Sequence, residues 1–142
     1  SHHDGAMPSG VAVAVEGLIR LGYVRGDADA LAMAERYLER RLVSGALGPL
    51  GAARLLGALD LFLHAQCVVV TAGAGADELR AAARAAYAPT RVMVGPWAAA
   101  AVLAGKDAGA TARAYVCRGP VCSLPVDDPA ALATLLAAPP AE

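Results

Sequence analysis

"QCVVVTAGAGADELRAAARAAYAPTRVMVG", residues 66–95, decides the fold. Its first part is a short β-branched run ending at glycine, its middle is rich in helix formers, and "TRVMVG" is a second β-branched run. Strand, helix, strand is a βαβ unit. Working downstream, "WAAAAVLAG" (97–105) predicts a small helix, "RAYVC" (113–117) a third strand and "DDPAALATLLA" (127–137) a last helix. The last helix has Asp127 or Asp128 as its cap and Pro129 in its first turn. This order predicts a three-stranded parallel or mixed sheet with right-handed crossovers.

Upstream of residue 66 the texture is helical. Residues 8–22 read as a helix capped by Ser9 and apolar nearly all round, which is the pattern of a buried helix. Residues 27–43 start at Asp27 and set Leu31, Ala34, Leu38 and Leu42 against Glu35, Arg36, Glu39 and Arg40, an outer helix with one apolar side. The link "YVRGD" is short enough to make these two antiparallel neighbours. A third helix starts near Pro49 and runs to about His64. The expected class is therefore mixed α/β, with a helical segment over 1–65 and a small α/β subdomain over 66–142 packed on it.

Composition narrows the function classes. The 142 residues are 57% hydrophobic with a net charge of −1, and mean hydropathy is +0.48. That apolar surplus has to be buried, against another copy of the chain as a dimer or against the rest of a longer parent. Val11, Val15, Leu18, Leu55 and Leu59 are the residues expected on that surface. Twelve basic residues scattered singly or in pairs, with one Phe, one Trp and four Tyr, give neither a phosphate-tracking stripe nor stacking platforms. Nucleic acid is not an expected partner. Neither is a membrane, since no run of 18 apolar residues is present. Three cysteines and no visible signal peptide make the cytoplasm the expected compartment.

Each chemical motif has a plainer reading. The turn at Gly73 and Gly75 has Glu78 where a dinucleotide fingerprint needs a third glycine, and Asp77 and Glu78 repel phosphate at the helix start. A tight βα turn is expected, with no cofactor. Asp60 and His64, four apart, share a helix face and form either an acid–imidazole pair or a helix C-terminus in which His64 binds free carbonyls. His2, His3 and Asp4 resemble a metal trio but lie in a chain terminus without preorganisation, and no metal site is expected. Cys67 reads as a buried thiol. Cys117 and Cys122 flank "RGPV", a turn able to bring them within disulfide distance; two reduced structural thiols, a disulfide, and a redox or metal role all stay open.

Three stretches together resemble the C-terminal part of the spermatogenesis-associated, thioredoxin-domain-containing family: "DGAMPSG" (4–10), "LLGALD" (55–60) and "YVCRGPVCSLPVDDPAAL" (115–132). The resemblance implies a longer parent with a thioredoxin-like domain, an (α/α)₆ barrel similar to six-hairpin glycosidases and epimerases, and this tail. Residues 1–65 would be the last barrel helices. "DGAMPSG" would be a loop at the barrel mouth, with Asp4 and Ser9 at the rim, and Val11 stands where the family usually carries Asn. The chain alone would then lack a complete active site, with no catalytic residue of its own. A free-standing interaction module using its apolar helices is the alternative, and a thiol oxidoreductase built on Cys117 and Cys122 a third.

Overall fold

The computed structural model describes residues 4–43, 48–106 and 109–139. It divides into two compact units, Ser1–His64 and Ala65–Glu142.

The first unit is helical. α1 (Gly10–Arg25) begins where the Ser9 hydroxyl accepts from Ala12 N, at 3.3 Å, and ends where Gly26 adopts a left-handed φ of 64°. It runs three residues beyond the expected 8–22, because nothing after Gly22 breaks a helix until Gly26. Gly22 also sets the spacing of the first two helices. A Cβ there would lie 2.8 Å from the Leu31 side chain, so its absence lets α2 (Ala28–Val43) come close. Only Gly26 and Asp27 link the two helices, and Asp27 caps α2 by accepting from Ala30 N at 3.0 Å. Tyr23, expected in the link, is helical and donates its hydroxyl to Phe62 O. A 3₁₀ turn, Pro49–Ala52, leads into α3 (Ala53–His64). α1 packs against both α2 and α3 through Val15, Ile19, Leu38, Leu55 and Leu61, all buried.

The second unit is a mixed sheet with helices. β1 (Gln66–Val70) pairs in parallel with β2 (Arg91–Val94) through α4 (Ala76–Ala85), as the βαβ reading requires. A single turn of helix, α5 (Ala100–Leu103), covers less of 97–105 than expected. β3 (Ala114–Arg118) then lies antiparallel on the other side of β1. A fourth strand, β4 (Val121–Cys122), was not foreseen. It completes the order β2-β1-β3-β4, so the sheet has four strands and not three. The cause is the step Gly119-Pro120: Gly119 takes φ 57° and Pro cannot take a positive φ, the pattern of a two-residue hairpin turn. α6 (Pro129–Ala137) follows, capped by Asp128, which accepts from Ala131 N at 2.7 Å.

β1 is central, and Val68, Val69 and Val70 are all but inaccessible, as in a strand buried on both faces. One face, carrying Val68, Val70, Ala114 and Val116, packs on Leu79 and Ala83 of α4 and Leu132 and Leu136 of α6. The strand ends are tied to the helix ends. Gln66 donates to Leu136 O and accepts from Arg91 Nε at 2.8 Å, Arg91 also donates to the Ala83 and Ala86 carbonyls, and Arg118 donates to Ala138 O. Unpaired carbonyls at helix C-termini thus meet cationic donors. No helix among the described residues is long and apolar enough to cross a membrane.

Candidate functional site

The structure brings the three cysteines into one row. Cys67 of β1 is the register partner of Cys117 of β3, and Cys117 is the register partner of Cys122 of β4. Partners in register point to the same side of a sheet, so all three side chains share a face, the one opposite α4 and α6. Cys117 and Cys122 form a disulfide with Cα atoms 3.9 Å apart. Of the three readings left open by the sequence, the disulfide is the one present.

The two pairs differ in kind. Thr71 N donates to Arg113 O, and moving two residues at a time along the antiparallel ladder makes Cys67–Cys117 a hydrogen-bonded pair. Such pairs have Cα atoms about 5.5 Å apart, inside the span a disulfide accepts. Ser123 N donates to Val116 O on the other side of β3, which leaves Cys117–Cys122 as a close pair with no ladder bonds between its members. Exposure differs along the row, and the central sulfur is the most buried. Cys122 is exposed, Cys117 is buried and Cys67, the free cysteine, is half-buried. Burial pushes the Cys67 thiol up to about 11, so it is held protonated at neutral pH.

At the other candidate, the loop before α1, the carboxylate of Asp4 accepts from Ser9 N at 2.7 Å and from Arg54 N, in the first turn of α3, at 2.6 Å. Asp4 N donates to Gly51 O. These two amides, Ser9 first, hold the Asp4 carboxyl below its usual value. Ser9 itself is buried and spends its hydroxyl on the α1 cap. Asp4 and Ser9 are thus adjacent, and both polar groups are engaged in fixing the loop to α1 and α3.

The remaining motifs resolve simply. Asp60 and His64 do form a pair, Oδ1 to Nδ1 at 2.8 Å, on the exposed side of α3. His64 is also the last residue of α3, so the pair with Asp60 and the helix C-terminal placement are present together. The Gly73–Gly75 turn is closed by its own chain: Ala74 N donates to Ala110 O, Ala112 N to Ala74 O, and Asp77 pairs with Arg80. His2 and His3 lie outside the described residues. Among the described residues no group of three or more His, Cys, Asp or Glu could hold a metal, and with Cys117 and Cys122 bonded to each other the thiolates a zinc site needs are used up.

The Cys67–Cys117 relation is what sequence reasoning missed. Fifty residues separate the two, and their meeting depends on β3 running antiparallel to β1. One signal was available: "CVVV" and "YVC" place Cys at the start of one strand and the end of the other, which coincide only in an antiparallel pair.

No family model, curated protein or solved structure matches this chain.

Proposed function

We propose that this chain supplies the last helices and the α/β tail of a longer protein of the thioredoxin-domain-containing family, and that it carries no complete catalytic centre. The observation that supports this reading is the outer side of α1. Gly10, Val13, Ala14, Gly17 and Leu21 fall on one exposed stripe that meets its first charge only at Arg25, the last residue of the helix. A helix at the surface of a finished domain normally turns charged residues to water; one without them is built to be covered. Further helices of an α/α array would cover it. Asp4 and Ser9 would then hold a barrel-mouth loop in shape, with chemistry left to other parts of the parent. In a cytoplasmic parent the Cys117–Cys122 bond, whose Cys122 end is exposed, would be transient.

The test is the mass of the native protein in source cells, with the reading frame upstream of Ser1. A reading frame that continues into helical hairpins and a thioredoxin-like domain supports the proposal. A native chain of 142 residues overturns it. In that event the exposed Leu21, Leu56 and Leu63 favour the second reading, an interaction module that covers them with another copy. Light scattering across micromolar concentrations separates a dimer from a monomer.

A further inference from the structure

We propose that Cys67, Cys117 and Cys122 form a thiol–disulfide exchange row in which the bond moves between the β3–β4 hairpin and the β1–β3 pair. Cys117 stands in the middle of the row, in register with Cys67 on one side and bonded to Cys122 on the other. The order is that of attacking, central and leaving sulfur. The minor fraction of Cys67 that loses its proton attacks Cys117 Sγ. The Cys67–Cys117 bond forms as the Cys117–Cys122 bond breaks, and Cys122 leaves as a thiolate that takes up a proton to replace the one Cys67 released. One disulfide is exchanged for another, so no external oxidant or reductant is consumed.

Three features support the step. Cys67 is a free thiol held beside the disulfide by the strand ladder and not by a mobile loop. The product pair has the backbone separation a disulfide takes. The leaving sulfur is the exposed one, so Cys122 departs into water and the edge strand has room to move. The result is a cross-strand bond between β1 and β3 and a reactive surface thiol at Cys122, a modification site absent from the resting protein. This inference does not depend on the family proposal.

Trypsin cleaves after Arg54, Arg80, Arg113 and Arg118, so the three cysteines fall on three peptides and each linkage has its own mass. The oxidised full chain is held natively with iodoacetamide at pH 8, quenched in acid and mapped without reduction. The expected result is alkylated Cys122 together with a Cys67–Cys117 linkage. Cys67→Ala should lower Cys122 labelling roughly tenfold or more, since the attacking sulfur is gone. A Cys117–Cys122 linkage that stays intact, whether or not Cys67 is labelled, overturns the proposal. Cys122→Ser tests the product pair directly. With oxidised glutathione it should form the Cys67–Cys117 bond, and two free or separately glutathionylated thiols would count against it.

Discussion

The two units of this chain deal with an apolar composition in opposite ways. The α/β unit uses a sheet: β1 buries Val68, Val69 and Val70 to 0, 1 and 0% exposure, and α4 and α6 close one face with Leu79 and Leu132 fully inaccessible. The helical unit buries Ile19, Leu38 and Leu61 as completely, yet leaves Leu21 49%, Leu56 41% and Leu63 60% exposed. A central strand is flanked by neighbours in the sheet, and α4 and α6 cover one of its faces within the unit. An apolar helix has a whole circumference, and two neighbours cover only part of it. High hydropathy therefore means a filled core where β1 carries it and open apolar surface on the helix faces, while the α/β unit exposes Trp97, Val121 and Leu124 in its loops and at its edge strand.

The largest effect should come from cutting into the closed core. Leu79→Ala removes a fully buried side chain between α4 and the sheet and should cost about 2–5 kcal/mol, read from urea unfolding. A loss below about 1 kcal/mol would mean that this core is less closed than described.

The next effect is alkaline. Cys67 titrates at about 11 in the fold against 9.0 when unperturbed. The folded state keeps its proton where the unfolded chain has lost it. Stability from Cys67 is therefore complete below pH 9 and falls as pH rises through 11, by about 3 kcal/mol in all. Comparing alkaline unfolding of the wild type with Cys67→Ala isolates this contribution, and parallel curves would show that Cys67 is not desolvated.

Smaller still is the disulfide, because the loop it closes is short. Cys117→Ala with Cys122→Ala should cost about 2 kcal/mol in the chain-entropy picture. Thermal unfolding of the double variant measures it. A change of similar size on simply adding reductant to the wild type would agree.

The smallest effect belongs to the open face. Leu63→Ser, at 60% exposure, should leave stability within about 0.5 kcal/mol of the wild type. If it costs more, that face is covered in solution and the contrast between the units fails. Light scattering on the same variant then says whether a second copy was the cover.

How far these features could be read in advance follows from how local their causes are. Ser9, Asp27 and Asp128 cap their helices as expected, since a cap is decided within four residues. The βαβ unit was legible because periodicity changes sharply at residue 66. β4 was not, because two residues make no pattern and only the φ of Gly119 turns the chain back. The apolar surplus was foreseen but misplaced. Val15 and Leu55 are buried, and Val11, Leu18 and Leu59 are half-buried. The exposed set includes Val13, Leu21, Leu56 and Leu63, because a helix apolar on most sides leaves the choice of inward side to its neighbours. For the candidate site, the Cys117–Cys122 proximity lay in a five-residue spacing, whereas Cys67 joined the row only through long-range strand pairing.

Gln66, Arg91 and Arg118 stand side by side at one end of the sheet and hold carbonyls at the C-terminal ends of α4 and α6. Helix ends usually fray on their own, well below the free energy of global unfolding. Here fraying of α4 must break its bonds to β2, and fraying of α6 its bonds to β1 and β3. The last turns of α4 and α6 should therefore open with the sheet, and their slowest amides should exchange hydrogen at the rate of β1. The tail of the second unit is thereby part of its cooperative core.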